Sequence, residues 1–348
     1  MRIINIMLGE GMGGIERSSA DYAGSLLKAG SDVLMITSPN AAINQLILSD
    51  DYALTHLKQL GSWDIMAAKR LAHIIDKYQA DCIITHGNRA LQLSVKAGVK
   101  DVKIIATSHN YNMQHLGTAD SVFCITNHML KFLRTQYPKF NDTNSFHVPN
   151  MLPKLHKYTP KHWHNPLRIG AIGRMVEKKG FTVLLKAIAR LRDSLPENAA
   201  PFELWLAGDG EERGKLEKLT RELGLENIVT FHGWVQDAHE FYSQIDIFCL
   251  PSLDEAFGIV LLEAMNAALP IIATNTIGPQ EIIAHNETGL LVEVGDANAI
   301  CAALMQLINE RELAKILGKN AYDEVSTRYQ QSIISGNILQ YLKQITQS

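Results

Sequence analysis

Residues 246–270 read DIFCLPSLDEAFGIVLLEAMNAALP, and this stretch decides the fold of the chain. It begins as a buried β-strand, because residues 247–250 form a continuous apolar run that ends at Pro251. From about Gly258 the apolar residues recur at helical spacing. A strand, an acidic loop, a glycine and a helix N-terminus thus follow one another at the carboxyl edge of a predicted sheet. Backbone N–H groups and the helix dipole predict an anion site there, with phosphate as the favoured anion.

Two glutamates of this stretch, Glu255 and Glu263, bracket the predicted anion site. They lie eight residues apart, which in a continuous helix would be roughly 12 Å of rise. Glu255 precedes the helix and can fold back over its end, whereas Glu263 projects from the second turn. Acceptors on both sides of an anion fit a nucleotide-sugar, which has hydroxyls at both ends and phosphates between them. The alternative is that both glutamates are solvated surface charges.

The length and composition indicate a globular protein with two domains. At 348 residues the chain is too long for one ordinary core, and its 46% hydrophobic and 20% charged residues are typical of soluble proteins. No apolar run approaches the roughly 18 residues that span a bilayer, and the apolar core of the N-terminus is too short for a secretory signal. The four scattered cysteines lack metal-binding spacing, so we expect reduced core residues of a cytoplasmic protein.

The net charge of −3 conceals a basic first half and an acidic second half. Residues 1–165 carry 17 Lys and Arg against 12 Asp and Glu, whereas residues 166–348 carry 16 against 24. This asymmetry favours a phosphorylated partner or an anionic membrane surface, and the protein could then be peripheral at the inner face of the plasma membrane. Ordinary compositional scatter is the alternative. We expect no nucleic-acid partner.

The first half begins with a βαβ unit. Residues 2–8 and 32–37 are predicted strands, and a helix over about residues 16–29 joins them. The loop GEGMGG at residues 9–14 formally matches the dinucleotide-binding fingerprint. That fingerprint also requires an acid at the end of the second strand, where this chain has Thr-Ser-Pro at residues 37–39. We therefore interpret the loop as backbone near an anion or an acceptor, and an NAD-dependent oxidoreductase is the alternative.

Polar residues also follow later predicted strands of the first half. The strands at residues 82–85 and 103–107 end in His86-Gly-Asn-Arg and Ser-His109-Asn-Tyr-Asn. Polar tips of successive parallel strands line one edge of a sheet, where the ligands of such folds bind. His109 is the favoured functional histidine, and a histidine that only caps its loop is the alternative.

The middle of the chain predicts a boundary between two domains. Residues 138–168 are rich in proline and histidine and lack periodicity, and we place a linker at 151–166. Strands alternate with helices on both sides, over residues 1–150 and 167–328. This pattern predicts two doubly wound Rossmann-like α/β domains that face each other across a cleft. The sequence does not show whether the last helix, within residues 329–348, packs back on the first domain.

Several segments of the second half carry a resemblance to a known family. They are GRMVEKKGFTVLLKA from residue 173, LAGDGEERGKLEKL from residue 206, FHGWV from residue 231, the 246–270 stretch, and EIIAHNETGLLVEVGD from residue 281. In this order and spacing they resemble the donor domain of the retaining glycosyltransferases of family 4, which have the GT-B architecture. The resemblance is weaker in the first half, where it covers GGIER at residues 13–17, the Ser-His tip at 108–109 and Val-Pro-Asn at 148–150.

The resemblance implies an enzyme that moves a hexose or N-acetylhexosamine from a UDP- or GDP-linked sugar to a glycan or lipid-linked acceptor. Bacterial surface glycans such as lipopolysaccharide are the expected products, with residues 1–150 binding the acceptor and 167–328 the donor. The implied catalytic residues are Arg174, Lys179, Glu255 and His109. Arg174 and Lys179 would clamp the diphosphate, while Glu255 and His109 would lie beside the donor sugar. The chemistry agrees, because two cations and a helix N-terminus can accept the charge of a leaving diphosphate.

The resemblance also implies residues that bind the donor and the acceptor. Glu263 would contact the nucleotide ribose, and the turn at residues 232–235 would read the base through its backbone. The full donor-binding set is Gly13, Gly14, Trp234, Val235, Phe257, Gly258, Ile259 and Glu263. The acceptor-side set is Glu16, Arg17, His86 and Asn88.

The expected chemistry needs neither a metal nor a cofactor. No D-x-D cluster suggests a metal-held pyrophosphate. Retention of configuration usually requires a carboxylate nucleophile, but the resemblance implies front-face attack in which the leaving phosphate helps to take the acceptor proton. Glu255 would then orient the sugar. The alternatives are the oxidoreductase, a non-catalytic nucleotide- or glycan-binding protein, and a GT-B epimerase or phosphorylase.

Two positions depart from the family pattern. Ala268 stands where the family commonly has glycine before Leu-Pro, and the usual paired-glycine loop reads Thr-Ile-Gly-Pro at residues 276–279. Both are packing or loop positions. They bear on the shape of the loop and on the identity of the donor more than on catalysis.

Overall fold

The computed structural model describes residues 1–11, 13–45, 47, 53–196 and 198–347. The chain divides into two compact units, of which the first comprises residues 1–153 and 329–348 and the second Lys154–Arg328. Each unit contains a parallel sheet with interleaved helices, so the predicted α/β class is confirmed. None of the described helices is both long enough and apolar enough to cross a bilayer.

The first unit is built on a parallel sheet with the spatial order β3-β2-β1-β4-β5-β6-β7. Its strands are β1 Arg2–Met7, β2 Asp32–Thr37, β3 Ala53–His56, β4 Cys82–His86, β5 Lys103–Ser108, β6 Ser121–Cys124 and β7 Ser145–His147. Its helices are α1 Gly14–Lys28, α2 Ile65–Tyr78, α3 Asn88–Ala97, α4 Asn127–Gln136 and, from the end of the chain, α12 Gln331–Gln347.

The strand order of this sheet places the candidate residues of the first half at one edge. Strand β1 pairs in parallel with β2 on one side and with β4 on the other, with Ile3 opposite both Val33 and Cys82. Ligands of doubly wound sheets bind at such a switch point, outside the carboxyl ends of the strands. The loops after β1, β4 and β5 all leave the sheet at this edge.

The C-terminal helix α12 belongs to the first unit. Its buried apolar residues share one core with β1 and β6, and they are Ile334, Ile338, Leu342 and Ile345. Tyr341 stacks on Phe146 of β7 with ring centroids 4.3 Å apart. Leu152 N donates to Tyr329 O over 2.7 Å, which ties the start of this terminal segment to the point where the chain leaves the unit.

The second unit is built on a parallel sheet with the spatial order β10-β9-β8-β11-β12-β13. Its strands are β8 Leu167–Ile172, β9 Phe202–Ala207, β10 Val229–Gly233, β11 Ile247–Leu250, β12 Ile271–Thr274 and β13 Leu290–Val292. Its helices are α5 Phe181–Ser194, α6 Arg213–Glu222, α7 Ala238–Ser243, α8 Ile259–Asn266, α9 Ile277–Ile282, α10 Ala297–Asn309 and α11 Arg311–Arg328. Strand β8 lies between β9 and β11, so the switch point falls at β8 and β11.

The predicted linker, residues 151–166, is divided between the units at Pro153 and Lys154. From Lys154 onward it packs on the second unit, where the Lys161 ammonium donates to Tyr242 O at 2.7 Å and His164 Nδ1 lies 2.8 Å from an Asp246 carboxylate oxygen. Burial lowers the pKa of Lys161 to about 8. The interpretation of residues 138–168 as irregular was wrong at β7, which is a strand paired with β6.

Candidate active site

Two loops at the switch point of the second unit are joined through their backbones. Leu253 N, in the loop after β11, donates to Lys178 O in the loop after β8 over 2.7 Å. Gly180 has a φ of 68°, and a Cβ at this position would lie 1.9 Å from Pro251 O. A residue without a side chain is therefore required, because any other would force the loops apart.

This contact brings Lys179 against Glu255. The Lys179 ammonium lies 2.6 Å from Glu255 Oε2, and the hydroxyl of Ser252 donates to the same oxygen over 3.3 Å. Both charged side chains are largely buried. Two donors on one oxygen fix the orientation of the carboxylate. Ser252 is a site residue that the sequence analysis missed.

The N-terminus of α8 lies directly after Glu255. Gly258 precedes the helix with a φ of 96°, a left-handed conformation that glycine adopts without strain. Gly278 N donates to Glu255 O over 3.0 Å and holds the loop from its other side. The first amides of a helix have no intrahelical acceptor, and the helix dipole favours an anion beside them. Because the Phe257 side chain is buried, only its backbone can take the predicted role.

Glu263 projects from α8, where the sequence analysis placed it. Its Oε2 lies 3.0 Å from the hydroxyl of Tyr242, which is also 3.2 Å from Val260 O. Tyr242 is buried on the six-residue helix α7, and no sequence signal marked it as a site residue. Its hydroxyl donates to the Glu263 carboxylate and so fixes the orientation of that side chain.

The other donor-side candidates follow β8 and β10 of the same sheet. Arg174 is exposed in the loop after β8. Trp234 and Val235 come directly after β10, and Trp234 is exposed. The neighbouring ring of His232 packs on Trp205 with centroids 4.4 Å apart. The strands are parallel, so these residues share one edge of the sheet with Lys179 and Glu255.

In the first unit, His109 belongs to a hydrogen-bonded chain of three side chains. His86 Nε2 lies 2.8 Å from Asn5 Oδ1, and His86 Nδ1 lies 2.9 Å from His109 Nε2. Asn5 Oδ1 only accepts, so His86 carries its proton on Nε2 and accepts from the N–H of His109. Burial lowers the pKa of His86 well below its usual value, and His109 lowers it further. Burial lowers the pKa of His109 to about 4, so both rings are neutral at pH 7.

The chain of side chains changes the role of His86. Its ring is buried, so it positions His109 and does not contact a ligand directly. Asn5, the buried first member of the chain, was missed. The signal was available, because Asn5 is the polar residue within the buried run IINIM of β1, and a buried polar group needs partners.

His109 lines a cavity of about 200 Å³ at the carboxyl edge of the first sheet. Asn88, Asn110 and Asn112 also line it. The Thr107 hydroxyl, another lining group, is buried and finds no hydrogen-bond partner in the described part of the chain. Amide, hydroxyl and imidazole groups around a small cavity suit a polyhydroxylated ligand.

The glycine loop after β1 leads into α1. Gly13 precedes the helix, and its carbonyl accepts from Arg17 N over 3.1 Å. A Cβ on Gly9 would lie 2.6 Å from a carboxylate oxygen of Glu16, so that side chain folds over the loop. Gly14 and Glu16 lie in the first turn of α1. The structure thus places four predicted site residues together at the edge of the first sheet: Gly13, Gly14, Glu16 and Arg17.

Neither an NAD ribose site nor a metal cluster is found in the described residues. At the end of β2 the Thr37 hydroxyl donates to Asn44 Oδ1 over 2.7 Å, and the Ser38 hydroxyl donates to Leu8 O over 3.1 Å. Hydroxyls therefore occupy the place where a dinucleotide site has its acid. No group of three or more His, Cys, Asp or Glu side chains in this part of the chain could hold a metal ion.

Two doubly wound domains, each with candidate residues at its switch point, define the GT-B class of fold. Solved structures share this fold over almost the whole chain. A glycosyltransferase from Rickettsia africae has a TM-score of 0.84 at 21% identity and covers 99% of this chain and 98% of its own. Anabaena Alr3699/HepE in complex with UDP has a TM-score of 0.84 at 18% identity and covers 99% of this chain and 100% of its own. The chain adopts the GT-B fold.

Sequence comparisons give the family. Residues 12–152 match the model of Glycosyltransferase Family 4, and residues 159–324 match that of Glycosyl transferases group 1. An uncharacterized glycosyltransferase of Haemophilus influenzae is 30% identical over 86% of this chain and 88% of its own length. The lipopolysaccharide core biosynthesis glycosyltransferase LpsE of Rhizobium meliloti is 35% identical over 49% of this chain. The chain belongs to this glycosyltransferase family, and the predicted resemblance is confirmed.

The match to LpsE spans about half of that relative, 48% of its length. A second Rhizobium meliloti lipopolysaccharide core glycosyltransferase, LpsD, is matched over 46% of its length at 35% identity.

Proposed function

We propose that this protein transfers a sugar from a UDP- or GDP-linked donor to a glycan or lipid-linked acceptor during synthesis of lipopolysaccharide or another bacterial surface glycan. The transfer retains the anomeric configuration and requires no metal. Membership of the glycosyltransferase family supports this proposal, as do the names of the relatives LpsE and LpsD. Complexes of Alr3699/HepE with UDP and with UDP-glucose support a nucleotide-sugar donor.

The pairing of Lys179 with Glu255 beside the N-terminus of α8 is the observation that carries the proposal. The site offers a cation, oriented amides and a carboxylate with fixed direction. Lys179 has three N–H donors, so it can hold Glu255 and still donate to a phosphate. Arg174 would add a second, planar donor group for the diphosphate. Glu255 would accept from a sugar hydroxyl, and Glu263, held by Tyr242, from a ribose hydroxyl.

The proposed reaction breaks the bond between the anomeric carbon and the phosphate oxygen. Lys179, Arg174 and the amides of residues 257–259 stabilise the charge that grows on the leaving nucleoside diphosphate. An acceptor hydroxyl forms the new bond to the anomeric carbon on the same face, and its proton passes to the leaving phosphate. Because Ser252 and Lys179 hold Glu255, this carboxylate orients the sugar and does not attack it.

We assign the acceptor to the cavity of the first unit. Its polar lining provides donors and acceptors for sugar hydroxyls, including the unpartnered hydroxyl of Thr107 and the proton-free Nδ1 of His109. Asn88 is the predicted acceptor-side residue that lines it. The proposed place of His109 beside the donor sugar follows from the family resemblance.

Thermal shifts with UDP-glucose, UDP-galactose, UDP-N-acetylglucosamine and GDP-mannose, with and without EDTA, test the proposed donor. A true donor at about 100 times its Kd stabilises the folded protein by about 2.7 kcal/mol, and EDTA should not change this shift. NADH should give none. Slow donor hydrolysis would separate an enzyme from a non-catalytic binding protein.

A second experiment uses variants to locate the donor site, with the binding of UDP and GDP measured by calorimetry. We expect Arg174→Ala and Glu263→Ala to weaken binding by roughly tenfold or more, because each removes a hydrogen bond to or from a charged group, worth about 1.5–3 kcal/mol. Arg221→Ala, at an exposed arginine in the last turn of α6, is the matched control and should bind as the wild type does. Unchanged affinity in both site variants would contradict the site.

A further inference from the structure

The loop before α2 and the first turn of this helix expose several large apolar side chains. Within residues 60–66, here termed the apolar loop, Leu60 is 74% exposed, Trp63 66%, Ile65 66% and Met66 62%. Single exposed apolar residues are common on proteins, but contiguous groups mark interaction sites. These four side chains therefore do not contribute to the core.

The structure fixes the apolar loop in this conformation. The Asp64 carboxylate caps α2 by accepting from Ala67 N at 2.8 Å and also accepts from Leu60 N at 3.1 Å. Asp64 N donates to Gly61 O over 3.2 Å, and a Cβ on Gly61 would lie 2.8 Å from the indole nitrogen of Trp63. Because the loop is hydrogen-bonded internally, its apolar side chains are presented by an ordered backbone.

Cations surround the apolar loop. Arg70 donates to Lys58 O over 2.7 Å, and the Lys96 ammonium donates to Ser62 O over 2.7 Å. Lys69 is exposed one turn after the apolar residues of α2. The one acid between residues 53 and 73 is Asp64, whose carboxylate is engaged in the cap. The loop therefore combines exposed apolar groups with a rim of positive charge.

We propose that the apolar loop and its cations form a docking surface for an anionic lipid bilayer. Trp63 and its apolar neighbours enter the interfacial region, where tryptophan side chains concentrate. Lys58, Lys69, Arg70 and Lys96 bind the lipid headgroups, and each cation at an anionic surface strengthens binding about fivefold. A stable dimer usually buries about 800 Å² per partner from 20–30 residues, which is more than this short loop provides.

Helix α3 connects this surface to the candidate acceptor cavity. Asn88, at the start of α3, lines the cavity, and Lys96, near its end, holds the apolar loop. The two positions are eight residues apart, which corresponds to roughly 12 Å along the helix. A glycan whose lipid lies in the bilayer could therefore reach the cavity. This geometric link rests on the proposed function, whereas bilayer binding does not.

Vesicle flotation of the full chain tests the docking surface. We expect binding to phosphatidylcholine vesicles that contain roughly one third phosphatidylglycerol, and little binding to phosphatidylcholine alone. Leu60→Ser with Trp63→Ser should weaken binding at least about tenfold, since two interfacial anchors are lost. Lys58→Gln with Lys69→Gln should weaken it about 25-fold. Ile316→Ser, at a 55% exposed isoleucine of α11, is the apolar control and should bind normally.

Each other outcome overturns the proposal. One such outcome is that the wild type does not float with anionic vesicles, and another is that it binds neutral vesicles equally well. The third is that the apolar pair and the lysine pair both bind as the wild type does. Sedimentation velocity would assign the loop to a second copy of the chain if a dimer formed and the Trp63 variant dissociated it. The lysine pair is solvent-exposed, so it tests the surface even if the apolar pair impairs folding. No sugar transfer is needed, so failure here is independent of failure of the proposed function.

Discussion

Glu255 and Lys179 are separated by 76 residues, and their side chains meet at 2.6 Å. The sequence motif identified each of them but could not predict their contact, because it depends on the close approach of Gly180 to Pro251 O. Tyr242 was not identified at all, since its role comes from where α7 packs and not from a local pattern. At the scale of single residues, motifs therefore find the charged groups, and the packing beneath them decides their partners.

The hydrogen-bonded pair His86 and His109 predicts a loss of stability in acid. In the unfolded chain a histidine has a pKa of about 6.5, whereas burial lowers the pKa of His109 to about 4 and that of His86 well below its usual value. At a pH between the folded-state pKa and the unfolded-state pKa, these histidines bind a proton in the unfolded chain but not in the folded one. The contribution of the neutral rings to the free energy of unfolding is fully present above the pKa of the unfolded chain. It is lost as the pH falls towards 4.

His109→Gln tests this prediction. We expect the fall in Tm between pH 7.5 and pH 5 to be smaller in the variant than in the wild type, because one ring of the pair no longer titrates. His73→Gln, at an exposed histidine of α2, controls for the loss of a histidine as such and should fall like the wild type. An equal fall in all three proteins would mean that His109 does not titrate as described.

Among the elements, the strands that are continuous apolar runs were predicted well, whereas β3 and β7 were missed. Strands β2 and β11 have the predicted bounds, because continuous apolar runs are selected by burial on both faces. Strand β3 is a short, exposed edge, and β7 has three residues of which two are polar. Such elements form because a neighbouring strand offers hydrogen bonds, and no pattern in their own sequence records this.

Ala268, which departs from the glycine expected at this position, has an unusual backbone conformation. Ala268 has a φ of 53°, and α8 ends there in a Schellman motif, with Leu269 N donating to Ala264 O at 3.2 Å and Ala268 N to Met265 O at 2.9 Å. The left-handed residue of this motif is usually glycine. A glycine at this position would relieve a strain that this chain retains at the end of α8.

Ala268→Gly should therefore stabilise the second unit by about 0.5–1 kcal/mol, since the left-handed conformation costs about 1–2 kcal/mol for a residue with a Cβ and glycine loses more backbone entropy. Urea unfolding measures the change. Ala302→Gly, at an exposed position within α10, should destabilise by about 1 kcal/mol. A destabilising effect at both positions would contradict the strain at Ala268.

For the whole molecule, alternation of strands and helices was sufficient to predict two doubly wound domains. The boundary was less accurate, since residues 154–166 lack regular structure but pack on the second unit through contacts such as Lys161 with Tyr242 O. The sequence also left the place of α12 open. Its apolar spacing showed a buried face but not which sheet that face covers, and the structure assigns it to the first unit.

A substitution in α12 should therefore weaken a sheet formed by the start of the chain. Ile338 is fully buried, so Ile338→Ala should destabilise the first unit by about 2–5 kcal/mol. Hydrogen exchange by mass spectrometry should then show faster exchange in β1 and β4. Ile333→Ala, at a 38% exposed position of the same helix, should have little effect. Equal acceleration in β8 and β11 would show that the two units do not respond separately.

The split of the first unit between the two ends of the chain has a consequence during biosynthesis. When the ribosome has completed Pro153, the surface that α12 will cover is still open, because that helix is made only after the whole second unit. Synthesis of the chain from Lys154 to the end of α12 takes roughly 10–40 s at about 5–20 residues per second. The second unit, which is continuous, can finish folding in this interval. The nascent first unit would meanwhile be the part of the chain that a ribosome-associated chaperone protects.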